Sequence, residues 1–152
     1  MADFYAGISV KCSEKDLFAR AAFFSDILSD TIQYEKGVTD INTTAIQAFE
    51  LKKGVCQDFS HILLTLLRID KIPCRYIAGL AACDGETHSW VELWDGEKWL
   101  GFDPANNCLI NEDYLVLSQG RDFGDCSIDK GVMFGAYTKQ LQLITSNLTQ
   151  AY

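Results

Sequence analysis

The sequence predicts an α+β fold in which N-terminal helices, one of them central, pack on a mainly antiparallel sheet. Apolar residues recur at helical spacing before Pro73, whereas the later segments are rich in aromatic and β-branched residues and are typical of strands. Helices come first and strands afterwards, which argues against a doubly wound parallel sheet. The 152 residues, 48% of them hydrophobic, suffice for one well-packed core. We therefore expect residues 1–152 to form a single domain.

Three helices are predicted in the first half of the chain. The first covers residues 14–34, where apolar positions repeat with a helical period. The second follows a cap at Thr43 or Thr44 and should stop at Gly54. The third begins at Cys56 and is the most apolar of the three, so it is expected to be the central, most buried helix.

The strands are predicted from runs of aromatic and β-branched residues. Asp95 and Gly96 mark a tight hairpin, flanked by Trp94 and Trp99, which should form a cross-strand pair. The strand-like runs are 74–82, 88–95, 98–104, the centre of 111–123, and 137–148.

The charge distribution limits the possible partners. The net charge is −8, and residues 81–130 hold 11 of the 21 acidic residues but only 3 of the 13 basic ones. This acidity argues against nucleic acid as a partner and disfavours acidic substrates. There is neither a signal peptide nor an apolar run long enough to cross a bilayer, so we expect a cytoplasmic protein without a membrane partner.

The cysteine pattern does not suggest a disulfide framework or a metal site. There is no CxxC pair and no Cys/His cluster at zinc-ligand spacing, so no metal or other cofactor is expected. In a reduced compartment most of the cysteines are expected to be small packing residues, with one exception. The six lie at positions 12, 56, 74, 83, 108 and 126.

Cys56, His88 and Asp103 form a candidate catalytic triad. Cys56 opens the central helix, where the helix dipole and free N–H groups favour a thiolate and can stabilise an oxyanion. His88 and Asp103 lie on adjacent predicted strands, and a turn centred between Asp95 and Gly96 would place them directly opposite each other. The sequence therefore offers a nucleophile, a base and a group to orient the base.

Two neighbours of Cys56 are expected to have other roles. His61 lies five residues further along the same helix, outside the spacing of three or four at which side chains meet, so it is a poorer base. Asp58 is expected to cap the helix and to point away from the thiol.

Three blocks of sequence together resemble the bacterial transglutaminase-like superfamily. They are GVCQDFSHILLTLLRIDKIPCRYIAG, HSWVELWDGEKWLGFDPANN and QGRDF, and the resemblance covers roughly residues 40–145. It implies a papain-like α+β core whose triad, by position, is Cys56, His88 and Asp103. Many bacterial members carry an N-terminal β domain. Only about a dozen residues precede the first predicted helix here, so a core without that domain is expected.

Gln57 and Trp90 match the same blocks without a clear chemical role. Gln57 could offer its side-chain amide to an oxyanion, although a solvated glutamine at a helix start is an equally good interpretation. Trp90 is a candidate for contact with substrate, but walling the site or filling the core is the better interpretation. No EF-hand spacing occurs in the acidic stretch, so calcium dependence is not indicated.

The function predicted from these residues is thiol-dependent acyl transfer on peptide or glutamine-type amide bonds. If water resolves the thioester, the enzyme is a cysteine protease or amidase, which we favour. If an amine co-substrate resolves it, the enzyme is a transglutaminase. A non-catalytic binding module that retains the fold is a third possibility. In each case the expected partner is a protein or peptide.

Overall fold

A layer of helices covers one face of an antiparallel sheet. The computed structural model describes residues 1–9, 16–81 and 86–127. All the helices except the last, short one come before the main sheet in the chain, and the predicted α+β class is confirmed. The helices are α1 (Ala2–Ser9), α2 (Leu17–Thr31), α3 (Ala45–Leu51), α4 (Cys56–Ile69) and α5 (Phe123–Cys126). Within the described ranges, no helix is both long and apolar enough to cross a bilayer.

The end of α3 differs from the prediction. Thr44 caps its start, with a reciprocal hydrogen bond from the side chain of Gln47, but the predicted stop at Gly54 is wrong. The helix ends at Leu51 because Lys52 adopts a left-handed conformation, with φ at 56°. Gly54 instead belongs to β2 (Lys53–Gly54), which pairs in parallel with β1 (Gln33–Tyr34).

Helix α4 is the central helix, as predicted. It packs against α2 and α3 on one side and against the sheet on the other. Its apolar face fills the core, where burial of each large aliphatic side chain contributes roughly 1.5–3 kcal/mol. The fully or almost fully buried hydrophobic residues of α4 are Phe59, Ile62, Leu63, Leu64, Leu66 and Leu67.

The main sheet has five strands in the order β6-β5-β4-β3-β7, and every neighbouring pair is antiparallel. The predicted strands at 74–82, 88–95 and 98–104 are confirmed, and the predicted segment 111–123 contains a strand at its centre. The short β6 was not predicted, and the predicted strand at 137–148 lies outside the described residues. The strands are β3 (Cys74–Ala81), β4 (Thr87–Trp94), β5 (Trp99–Asp103), β6 (Cys108–Leu109) and β7 (Tyr114–Gly120).

The hairpin between β4 and β5 turns one residue later than predicted. Trp94 pairs with Trp99, and the backbone N–H of Asp95 donates to the carbonyl oxygen of Lys98 at 3.1 Å. The carboxylate of Asp95 accepts hydrogen bonds of 2.8 Å from the backbone N–H groups of Glu97 and Lys98, which stabilises this turn. Gly96 has φ at 110°, a conformation that suits glycine. The tight turn is therefore centred between Gly96 and Glu97 rather than between Asp95 and Gly96, and the strand register is shifted by two residues.

The predicted tryptophan pair is present at the base of this turn. The ring centroids of Trp94 and Trp99 are 5.4 Å apart. On the neighbouring strand β3, Arg75 forms an ion pair of 2.6 Å with Glu92, its partner on β4, and its guanidinium lies 4.1 Å from the centre of the Trp99 ring. These contacts fix the pairing of β3, β4 and β5 at the end of the sheet opposite His88.

Candidate active site

The thiol of Cys56 is positioned by the first turn of α4. Val55 is the N-cap residue, and the carboxylate of Asp58 accepts its backbone N–H at 2.8 Å. The same carboxylate accepts the hydroxyl of Thr39 at 2.7 Å and is 1% exposed. Asp58 therefore caps the helix, as predicted. Gly54 lies so close to it that a β-carbon at position 54 would be 2.5 Å from the carboxylate oxygen.

His88 and Asp103 are in direct contact, although their strands are not in the predicted register. The Nε2 atom of His88 lies 2.6 Å from Oδ2 of Asp103. Val91 pairs with Phe102, so the residue opposite Asp103 by continuation is Trp90, and His88 is its diagonal neighbour. A shift of two residues keeps both side chains on the same face of the sheet, which is why the contact survives the wrong register.

Asp103 is fully buried, and its carboxylate is surrounded by donors. Besides His88, Oδ2 accepts the hydroxyl of Tyr114 at 2.9 Å and the side-chain amide of Asn106 at 2.8 Å. Oδ1 accepts the backbone N–H groups of Ala105 at 2.9 Å and Asn106 at 3.1 Å. These bonds hold the carboxylate in one orientation and favour its ionised form.

The pKa values of Cys56, His88 and Asp103 are each shifted in the direction that favours the charged form. Burial alone would raise the pKa of the Cys56 thiol, but hydrogen bonding and charge from His88, with hydrogen bonds from Ser89, lower it below its ordinary value. Burial alone would lower the pKa of His88, but Asp103 and Cys56 raise it to about 10. The pKa of Asp103 is lowered, since the bonds from His88 and Asn106 outweigh burial. A thiolate and an imidazolium are therefore the favoured pair.

Cys56 and His88 open onto a cleft of about 490 Å³. One wall comes from the segment around Tyr34 and Ile41, and the other from β4 and α5. Because Asp103 already binds Nε2 of His88, Nδ1 is the ring nitrogen left to face the thiol. The structure thus brings Cys56, His88 and Asp103 together at one end of the cleft.

The sequence model of the transglutaminase-like superfamily matches residues 6–104. This span covers most of the chain and includes all three of these residues. The chain belongs to the transglutaminase-like superfamily.

Relatives within this superfamily are longer than this chain. An uncharacterized protein of Mycobacterium leprae is 32% identical in a match of 123 residues. The match covers 74% of this chain and 44% of that protein. The chain therefore spans less than half the length of this curated relative.

Solved structures with the same core support the papain-like arrangement of helix and sheet. The crystal structure of a candidate cysteine protease from Cytophaga hutchinsonii has a TM-score of 0.68 and 26% identity, and covers 73% of this chain and 39% of that one. Legionella pneumophila LapG has a TM-score of 0.63 over 76% of this chain and 71% of its own, but at 13% identity the likeness shows the fold alone.

Gln57 and Trp90 lie in different surroundings. Gln57 lines the same cleft as Cys56, and its side-chain amide is 3.5 Å from the carbonyl oxygen of Ile41. Trp90 is fully buried and is not among the described residues that line the cleft. Its ring stacks on His88, with centroids 6.5 Å apart, and packs edge-on against Tyr114 at 5.3 Å. A packing role beneath His88 therefore fits Trp90 better than contact with substrate.

The side chain of His61 contacts residues other than Cys56. Its Nε2 atom accepts the backbone N–H of Phe123 at 3.2 Å, and its ring packs on Tyr76 with centroids 5.1 Å apart. Burial lowers its pKa, which favours the neutral form that this acceptor role requires. His61 thus secures α5 against α4 rather than serving Cys56.

The sequence did not indicate three residues around the triad. Ser89 is buried next to His88, hydrogen-bonds with Cys56 and lies 3.3 Å from the hydroxyl of Ser60. Tyr114 and Asn106 hold Asp103. The only local signal was the asparagine two residues after Pro104, a pattern typical of a turn that the preceding aspartate stabilises. Among the described residues, no cluster of three His, Cys, Asp or Glu side chains could hold a metal ion.

Proposed function

We propose that this protein is a thiol-dependent acyl-transfer enzyme acting on peptide or glutamine-type amide bonds. The observation that carries the proposal is the 2.6 Å contact between His88 and buried Asp103, in a cleft that also contains Cys56 at the start of a helix. A nucleophile, a base and a group that orients the base are the parts this chemistry needs. Membership of the superfamily supports the same reaction class.

In the proposed first step, the thiolate of Cys56 attacks the amide carbonyl carbon and forms a C–S bond. His88 gives its proton to the amine nitrogen as the C–N bond breaks, and the amine leaves. A thioester remains on Cys56. Water then loses a proton to His88 and attacks the thioester carbonyl, the C–S bond breaks, and the carboxylic acid leaves while the thiolate of Cys56 and the imidazolium of His88 are restored. Asp103 keeps the imidazole oriented throughout and stabilises its charged form.

The oxyanion formed in each step needs hydrogen-bond donors. The first N–H groups of a helix have no intrahelical acceptor, and those of Cys56 and Gln57 begin α4. We propose these two groups as oxyanion donors, aided by the positive end of the helix dipole. The side chain of Gln57 is a further candidate because it also lines the cleft.

Hydrolysis is the favoured outcome of the second step, which would make the protein a cysteine protease or amidase. The cleft is open to water, whereas efficient transfer to an amine requires that water be excluded from the thioester. The proposed substrate is a protein or peptide. The proposed location is the cytoplasm, where a reactive thiol stays reduced.

One observation favours the transglutaminase alternative. Lys36 and Glu86 both line the cleft, and the ammonium of Lys36 lies 2.7 Å from the carboxylate of Glu86. An amine co-substrate would have to displace Lys36 from Glu86, an exchange that the exposure of both side chains, 65% and 67%, permits.

The reactivity of Cys56 tests the catalytic assignment. The rate at which iodoacetamide alkylates Cys56 is measured by mass spectrometry as a function of pH. We expect the rate to rise with pH around a pKa well below the ordinary thiol value of about 8.5. His88→Ala should move that pKa back toward the ordinary value, and Cys56→Ala provides the blank. An ordinary pKa in the unmodified protein, unchanged by His88→Ala, would contradict the proposal and favour a binding module.

Product analysis separates hydrolysis from transfer. A glutamine-rich protein is incubated with the enzyme, with and without an added primary amine, and analysed by mass spectrometry. Cleavage or deamidation in both samples supports the protease or amidase, whereas incorporation of the amine supports the transglutaminase. Products that persist with Cys56→Ala would show that neither reaction belongs to this site.

A further inference from the structure

A second cavity lies beside the active-site cleft. It has a volume of about 650 Å³ and shares Ile41, Phe123 and Ser127 with the cleft. Ile41 is 66% exposed, so a surface ridge rather than a buried wall separates the two cavities. Together they form one groove, which runs from Cys56 across this ridge.

The second cavity offers mainly apolar contact. Ala45 and Leu64 line it together with the two shared apolar residues, Ile41 and Phe123. Most of its polar lining groups are already engaged within the protein. The hydroxyls of Thr44 and Thr65 and the side chains of Arg68 and Asp122 each form a hydrogen bond to another residue of the chain. A ligand here would therefore be recognised mainly by its apolar surface.

The geometry points to an extended polypeptide substrate that seats a large apolar side chain against Ile41 and Phe123 while its scissile amide lies at Cys56. This inference rests on the proposed acyl-transfer function on a protein or peptide and adds the kind of side chain that the substrate presents beside its scissile amide. Either cavity alone has the volume of an ordinary small-molecule site, so a small amide would leave one of them empty. A chain of several residues can cross the ridge and occupy both.

The charged groups of the cleft fit such a substrate. Lys36 and Glu86 pair with each other, so the cleft does not demand a charged residue next to the scissile amide. Arg68 and Asp122 both line the second cavity, so an aspartate or glutamate in place of the apolar side chain would lose water and meet a carboxylate as well as a guanidinium. The groove should therefore select apolar over acidic side chains at this position.

Peptidyl chloromethyl ketones test the inference without assuming whether the natural reaction is hydrolysis or transfer. Three reagents are compared. The first has a single residue, and the second has four residues with leucine at the positions next to the reactive residue. The third has the same length, with aspartate in place of leucine. We expect the leucine reagent to alkylate Cys56 at least about tenfold faster than the other two, a ratio typical of one apolar contact.

Ile41→Ala should remove most of that advantage, a loss of about fivefold to tenfold for the leucine reagent only. The side chain of Ile41 is exposed, so its truncation should leave the fold intact. Ile46→Ala is the matched control, because Ile46 is 55% exposed but is not among the described residues that line either cavity. It should alkylate at the unmodified rate.

Iodoacetamide distinguishes the possible failures. If iodoacetamide reacts rapidly with Cys56 but the three ketones react at equal rates, or Ile41→Ala changes nothing, the extended substrate is wrong and the proposed function stands. If Cys56 is slow toward iodoacetamide as well, the proposed function and the inference that rests on it both fail.

Discussion

At the scale of single residues, Asp103 connects the parts of the site. Its buried carboxylate binds His88, Tyr114 and Asn106 through their side chains, so three segments of the chain converge on one group. Burial of a charge is costly unless hydrogen bonds compensate it, and here the compensation comes entirely from groups that the site also needs in place. The position of His88 therefore depends on residues beyond the triad.

Tyr114→Phe should show this dependence. The substitution removes one donor to Asp103 and should lower the free energy of unfolding by about 1.5–3 kcal/mol at pH 7, as expected for a hydrogen bond to a charged group. The pKa of Asp103 is depressed, so its carboxylate contributes stability at neutral pH that is lost as the pH falls through its folded-state pKa. The effect of Tyr114→Phe should therefore shrink as the pH is lowered through the folded-state pKa of Asp103, as measured by urea unfolding at pH 7 and at a series of acidic pH values.

Cys108→Ala is the control for this substitution. Its sulfur lies 3.5 Å from the same tyrosine hydroxyl, and its only described pairing with Asp103 is the backbone pairing of β6 with β5, which alanine keeps. Cys108→Ala should leave the alkylation rate of Cys56 unchanged, whereas Tyr114→Phe should reduce it. Equal effects of the two substitutions on alkylation would mean that Tyr114 acts only through general packing.

At the scale of elements, the start of α4 is the feature that positions the nucleophile. Gly54 allows Asp58 to fold back over β2 and cap the helix, which sets the direction in which Cys56 points. The helix itself was predictable because its capping and apolar period are local signals. The close approach of Gly54 to Asp58 was not, since the glycine was interpreted as the end of the preceding helix.

Gly54→Ala should disturb this helix start. The added β-carbon would lie 2.5 Å from the carboxylate oxygen and 2.6 Å from the β-carbon of Asp58, so the cap must shift. We expect a loss of about 1–3 kcal/mol in the free energy of unfolding and slower alkylation of Cys56. Gly7→Ala is the control: it lies in α1, a β-carbon there meets nothing within 4 Å, and the change should be neutral or slightly stabilising. Similar destabilisation by both substitutions would argue against the proposed contact.

The register of the sheet shows which part of the fold was beyond sequence analysis. The strands and the contact between His88 and Asp103 could be anticipated from local composition and a turn signal. The centre of the turn could not, because Asp95–Gly96 and Gly96–Glu97 are similar as turn centres, and the hydrogen bonds of the Asp95 carboxylate to Glu97 and Lys98 favour the second. The role of Tyr114 was not predictable for a related reason. Its strand, β7, pairs with β3, which is distant in the sequence, and no local pattern specifies that pairing.

At the scale of the whole molecule, the site affects stability as well as chemistry. The pKa of His88 is raised, so its contribution to stability is full below about pH 6.5 and is lost as the pH rises toward about 10. The pKa of Cys56 is lowered, so its contribution is present above the ordinary thiol pKa and is lost as the pH falls through its folded-state value. Between pH 7 and 9 the two slopes oppose each other.

Cys56→Ala should expose the contribution of His88. With the thiolate removed, Asp103 still raises the pKa of His88, and the stability of the variant should fall from pH 7 to pH 9. The unmodified protein should change less over the same range. Urea unfolding at several pH values measures both, with Cys56→Ala/His88→Ala as the control that should lose the slope. That residues 1–152 act as one catalytic domain remains a prediction that the same unfolding curves can test through a single cooperative transition.

The register of this hairpin has a consequence for comparing relatives. In an antiparallel pair, residues share a face when the sum of their sequence numbers differs from that of the paired residues by an even number. His88 and Asp103 satisfy this condition two residues away from direct opposition. A relative that gains or loses one residue within β4 or β5, between this contact and the turn, would move one side chain to the opposite face unless a bulge absorbs the change, whereas a change inside the turn would leave both faces as they are. One-residue differences within the strands should therefore separate relatives that must rebuild the histidine–aspartate contact from those that keep it.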